Sequence, residues 1–141
     1  MFGIKKLQTS VLLACVATSV AAQEDTVDPK LIVELNTAET MDTACRLSFM
    51  VTNEHPQDIE AVVFETVLFN VDGSVNQLTL FDFGALPSNR PRIRQFDVPG
   101  LGCDGLGRLL INGAVTCEAP DAGLCINTLD LRTRTQIEVL G

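Results

Sequence analysis

Five cysteines, one histidine and a run of three alternating arginines carry most of the chemical potential of this 141-residue chain. Cys45, Cys103, Cys117 and Cys125 are separated by 57, 13 and 7 residues, and Cys15 stands apart near the N-terminus. Zinc sites built on thiolates use close pairs such as C-x₂-C, commonly with histidine. Neither feature is present, so the four later cysteines read as two disulfides. Nucleophilic catalysis needs a base beside a serine or a thiol. The single histidine, His55, lies in the turn-like stretch Asn53-Glu54-His55-Pro56-Gln57 and is expected to face solvent. Ser48, Ser74 and Ser88 lie outside any G-x-S-x-G elbow. The 18 acidic residues are spread without a cluster, which offers no seat for a carboxylate pair. Asp72-Gly73 and Asp104-Gly105 lack the D-x-[DN]-x-[DN]-G run of a calcium loop, and Gly100-Leu101-Gly102 joins strands instead of opening a helix. The inventory points to no catalytic residue, no cofactor and no metal.

Two features suit binding better than catalysis. Arg90, Arg92 and Arg94 fall two apart, a spacing that aligns side chains on one face of an extended strand. Guanidinium groups pair well with carboxylates and phosphates. The ridge should therefore meet acids on a neighbouring strand, an acidic partner or an anionic headgroup. Pro91 puts it at a sheet edge or a strand start. The second feature is residues 59–71, apolar on both parities: Ala61, Val63, Val67 and Phe69 on one, Val62, Phe64 and Leu68 on the other. A two-layer sandwich buries one face of each sheet, so the surplus set needs a loop, the leader or a partner over it. Arg90, Arg92, Arg94, Phe64 and Phe69 are the candidate contact residues. A net charge of −8 argues against nucleic acid as the partner, because phosphates demand a basic face.

The elements that must hold these residues follow a period of two almost throughout. Leu31, Val33 and Leu35 alternate with Ile32, Glu34 and Asn36, and Cys45, Leu47, Phe49 and Val51 alternate with Arg46, Ser48, Met50 and Thr52. After the strand at 59–71, Asp72-Gly73 supplies a hairpin turn. A strand at about 75–82 is broken by Leu86-Pro87-Ser88-Asn89, and another runs over 91–98. Residues 100–107, with four glycines, form a loop; a helical turn within 104–112 is weakened by Gly105 and Gly107. Leu109, Ile111 and Val115 resume the alternation, Glu118 to Gly123 turns, and residues 129–139 complete a last strand. Seven short strands predict an all-β fold, a single antiparallel β-sandwich of immunoglobulin-like type over 30–141, with a small closed barrel as the alternative. In that strand order the second and fifth strands are antiparallel neighbours, so Cys45 at the start of one lies beside Cys103 just past the end of the other. Cys117 and Cys125 flank the turn between the last two strands. The predicted bridges are Cys45–Cys103 and Cys117–Cys125.

Residues 1–22 have the anatomy of a secretory signal peptide: Lys5 and Lys6, an apolar stretch from Leu7 to Val20, and small residues ending at Ala22. Leu12-Leu13-Ala14-Cys15 competes as a lipobox that would place a lipid anchor on Cys15. Cleavage after Ala22 removes two lysines and takes the net charge from −8 to −10. Residues 23–29 read as an acidic, disordered leader. These features predict a periplasmic or secreted protein of a Gram-negative envelope, with no transmembrane segment after processing.

Val51-Thr52-Asn53, the stretch from Ile59 to Gly73, then Leu86 and Phe96 resemble FxLYD-type modules of bacterial exported proteins over about residues 47–98. The resemblance implies an immunoglobulin-like sandwich with an accessory role and brings no catalytic residue with it. The tyrosine of the motif is absent here, and the four cysteines stand outside it. The reading is of an exported, non-catalytic protein-interaction or envelope accessory module whose partner is another envelope protein or a second copy. An enzyme inhibitor or small-ligand-binding module is the alternative, and a small hydrolase is disfavoured by the residue inventory.

Overall fold

The computed structural model describes residues 27–141, together with residues 3, 19, 21 and 22. Apart from those four, the segment 1–22 expected to direct export, Cys15 included, and residues 23–26 of the expected leader lie outside the described residues. Residues 27–30 are exposed and without regular structure. The strands are β1 (Leu31–Met41), β2 (Ala44–Asn53), β3 (Ile59–Asn70), β4 (Val75–Leu86), β5 (Arg92–Pro99), β6 (Leu106–Glu118), β7 (Leu129–Thr133) and β8 (Glu138–Leu140). A single helical turn, α1 (Leu124–Asn127), precedes β7. Two four-stranded sheets result, ordered β5-β2-β1-β7 and β4-β3-β6-β8. The fold is the all-β sandwich that the alternation predicts.

Alternation decides which side chains enter the core. On β2, Cys45, Leu47, Phe49 and Val51 are fully buried, and the residues between them point outward. Facing them from the other sheet are Val62, Phe64 and Leu68 of β3 and Phe81 and Phe83 of β4. Five phenylalanines interlock: the Phe81 and Phe96 rings stack at 4.3 Å, while Phe83 meets Phe49 and Phe64 edge-on at 5.5 Å. Each such side chain contributes about 1.5–3 kcal/mol of burial. The expected hairpin forms at Asp72-Gly73, where Gly73 takes a φ of 88° and the Asp72 carboxylate accepts the Ser74 N–H. Strand β4 runs four residues beyond the expected 75–82, carried past Asp82 by a bulge in which Gly84 adopts a φ of 63°.

The C-terminal segment departs from expectation. Residues 129–139 were expected to form one antiparallel strand, and seven strands were expected in all. Instead β7 pairs in parallel with β1, from Leu31 opposite Leu129 to Leu35 opposite Thr133. Then β8 pairs in parallel with β6, from Arg108 opposite Glu138 to Leu110 opposite Leu140. Strand β6 starts near the end of β1 and ends near its beginning, so β7 and β8 run in opposite directions. The reversal comes from local chemistry. Thr133 Oγ1 accepts the Thr135 N–H and Thr135 Oγ1 accepts the Ile137 N–H, at 3.1 and 3.0 Å. Hydroxyls that bond their own backbone compete with ladder bonds and turn the chain. Ile137 swings into the core at the reversal. The sandwich therefore has eight strands in two mixed sheets, and its last two strands straddle the seam between the layers.

Candidate functional site

Both predicted disulfides are present. Cys45 lies opposite Val98 in the β2–β5 ladder, and the chain leaves β5 through Gly100, whose φ is 73°, to bring Cys103 back with a Cα–Cα distance of 4.7 Å. At the opposite end, Cys117 near the close of β6 bonds Cys125 of α1 across 6.0 Å. The first bridge closes 58 residues and the second 8, so each end of the sandwich has one covalent tie.

His55 is buried, not in the exposed turn the sequence suggested. Its Nε2 lies 2.9 Å from Thr128 Oγ1, which in turn donates to the Leu124 carbonyl at 2.6 Å. The threonine has one proton and spends it on that carbonyl, so Nε2 carries the hydrogen toward Thr128. Asn53 completes the knot: its Oδ1 accepts the His55 N–H, and its Nδ2 donates to the Gln57 and Leu86 carbonyls. Ser88 comes close as well, but its hydroxyl donates to the main-chain carbonyl of His55, not to the ring. The serine and the imidazole do not form a nucleophile–base pair. This knot anchors the β2–β3 connection to α1. Pro56, Asp58, Glu60, Glu118 and Pro120 line an open groove of about 640 Å³ beside it. Among the described residues no three His, Cys, Asp or Glu side chains come together to hold a metal ion.

The arginines divide. Arg92 and Arg94 share the parity of Phe96 and Val98, the side of β5 that faces the other sheet, while Ile93, Gln95 and Asp97 point outward. Arg94 reaches over the gap between the layers: its Nε donates to the Phe83 carbonyl at 2.6 Å and its Nη2 to the Ala85 carbonyl at 2.9 Å. A guanidinium is thereby spent on the exposed backbone of β4, an edge strand. Arg92 bonds the adjacent Pro91 carbonyl, and Arg90 is exposed. None of the three is among the ion pairs of the described residues, which are Arg46–Asp97, Arg108–Glu138 and Arg132–Asp130.

The two apolar sets of β3 are now distinguished. Phe64 is fully buried with Val62 and Leu68, which removes it from any contact surface. Phe69, with Ala61 and Val63, lies on the outward side of the sheet and is only partly covered, while Val67 on the same side is buried between its neighbours. Cross-strand registers extend this set. Phe69 sits opposite Val75, and Val67 lies between Leu78 on β4 and Leu110 on β6, with Leu140 of β8 beyond. Val75, Leu78 and Leu80 are 60%, 57% and 56% exposed. The leucines went unnoticed in the sequence because β4 is apolar on both parities, and nothing local says which parity is inside. The outer face of β4-β3-β6-β8 therefore carries a contiguous apolar band, edged by the Arg108–Glu138 pair and by the Asn112–Glu65 hydrogen bond.

The outer face of the other sheet is furnished with charge. Arg46 and Asp97 sit opposite each other on β2 and β5 and form a two-pronged pair at 2.8 and 3.0 Å. The guanidinium holds the Asp97 carboxyl below its ordinary range, and Arg132 does the same to Asp130. No family model, no curated protein and no solved structure matches the chain.

Proposed function

We propose that this protein is an exported, non-catalytic β-sandwich of the bacterial envelope, periplasmic or secreted, that works by holding another protein against the outer face of the β4-β3-β6-β8 sheet. One observation carries the reading: Val75, Leu78 and Leu80 are exposed beside Phe69, Val67 and Leu110 on a single sheet face. Apolar surface of that continuity on a folded domain marks a contact site. The two disulfides fit an oxidising compartment, and among the described residues no helix is long and apolar enough to cross a membrane. The accessory role implied by the FxLYD resemblance agrees with a binding task.

The test is cross-linking in the native host followed by mass spectrometry, with the wild type compared to Leu78→Lys/Leu80→Lys. Both side chains are more than half exposed, so the variant should keep the wild-type Tm. A wild-type cross-link to another envelope protein that disappears in the variant supports the reading. Identical cross-links in both proteins would place the contact elsewhere.

A further inference from the structure

Each sheet has two edge strands, and three of the four are guarded against pairing. Strand β5 carries Arg92, Arg94 and Pro99, with Pro91 just before it. Strand β7 carries the Asp130–Arg132 pair. Strand β8 is three residues long and begins with Glu138. Short edges, charges and prolines are the ordinary means of keeping strand edges from joining. Strand β4 has the fewest of them. It is 12 residues long, has no proline and no lysine, and the stretch from Gly73 to Phe81 contains no charged residue. Its far end is occupied, because Arg94 covers the Phe83 and Ala85 carbonyls. What remains is the regular stretch between two bulges, Gln77 to Asp82, which pairs in unbroken register with Leu68 to Val63 of β3 on its other side.

We infer that this open edge pairs with the same edge of a second copy, antiparallel, across a two-fold axis at Thr79. The inference rests on the reading of the β4-β3-β6-β8 face as a contact surface and names a second copy as one occupant. The register follows from the side chains. Opposed residues in an antiparallel pair share a side of the sheet, so a two-fold axis must pass through a residue position. With the axis at Thr79, Leu78 lies opposite the second copy's Leu80, and Leu80 opposite its Leu78. Asp82 falls opposite an asparagine, Asn76. An axis at Leu80 would set Leu78 against Asp82, and one at Leu78 would set Leu80 against Asn76. Of these three registers only that at Thr79 sets both leucines against leucines, and it puts no like charges together. Two four-stranded sheets then become one sheet of eight strands, with the apolar bands of both copies continuous across the join. The remaining opposition is the like net charge of two copies, −8 each for the full chain and −10 each once Lys5 and Lys6 are removed with residues 1–22, which salt screens.

The experiment uses the oxidised mature protein in sedimentation velocity over a concentration series, at low and at moderate salt, with a Thr79→Cys variant for cross-linking. A wild-type dimer that tightens with salt, a Leu78→Lys/Leu80→Lys variant that stays monomeric at the same concentrations, and a spontaneous Thr79→Cys disulfide dimer together support the pairing. If Thr79→Cys fails to fold, a Leu78→Cys protein mixed with a Leu80→Cys protein reads the same register through a heterodimeric disulfide between exposed positions. A wild type that remains monomeric throughout overturns it. So does a dimer that links through Glu65→Cys at the centre of the face while the edge cysteines do not react, because that is face-to-face stacking. A monomer that still cross-links to another envelope protein in the host rejects the edge pairing and leaves the face as a contact site. A dimer that cross-links to nothing else does the reverse.

Discussion

The two outward faces of this sandwich are built to opposite prescriptions. On β5-β2-β1-β7, polar side chains satisfy one another across strands: Arg46 grips Asp97, Gln95 bonds Ser48, Arg132 bonds Asp130, and Asn36 bonds Glu34. On β4-β3-β6-β8 the corresponding outward positions hold Val63, Val67, Phe69, Leu78, Leu80 and Leu110. Both sheets pack on the same core, so the core does not account for the difference. The first face is mainly polar, with the cross-strand pair Met50 and Ile93, 37% and 57% exposed, as its apolar exception. The second has a longer run of exposed apolar side chains, the feature on which the proposed contact surface rests.

The comparison breaks most sharply at β3, where one strand shows both environments. Phe64→Asp places an unpaired carboxylate among fully buried side chains, a cost of several kcal/mol, and thermal melts should show an unfolded or grossly destabilised protein. Phe69→Asp, on the outward side of the same strand, should melt as a folded protein and lose binding. If both variants unfold alike, the outer face is covered within the chain. An intermediate effect is expected where the layers meet. Arg94→Ala removes two hydrogen bonds from a guanidinium to edge carbonyls and should lower stability in denaturant titration by about 1–2 kcal/mol. No loss there would mean that water serves those carbonyls equally well.

The smallest effect belongs to the polar face. Asp97 titrates below its ordinary 3.8 because of Arg46, so its folded-state value is depressed relative to the unfolded chain. The stabilisation from this pair is fully present above 3.8 and is lost as pH falls through the lower folded value. At neutral pH Asp97→Asn should melt only slightly below the wild type, because the pair is exposed. The gap should close as the solution is acidified past 3.8. A gap that widens in acid would contradict the assignment.

How much of this was written in the sequence depends on whether a side chain's partner lies on its own strand or elsewhere. The strict alternation of β2 announced its buried set, and the adjacency of the second and fifth strands was enough to pair Cys45 with Cys103. Arg92 and Arg94 share parity with Phe96 and Val98, a visible sign that the ridge turns toward the layer gap. The carbonyls it meets belong to β4, and no local pattern names them. His55 resembled a solvated turn residue because its partner, Thr128, is 73 residues away. The C-terminal run alternated like a strand, yet Thr133 and Thr135 used their hydroxyls on nearby N–H groups, and the alternation did not distinguish a ladder from a reversal. Leu78 and Leu80 were hidden in a strand apolar on both sides.

The pairing of Leu31 with Leu129 has a consequence for how the chain is made. Strand β1 holds a central place in its sheet, yet one of its two neighbours, β7, lies far along the chain, with Leu129 opposite Leu31. Until residues 129–133 arrive, β1 is itself an open edge, and the buried side chains Leu31, Val33 and Leu35 lie along an unfinished seam. Contacts spanning so much of the chain form slowly. The β5-β2-β1-β7 sheet is therefore complete only once residues 129–133 have been made and have docked against β1.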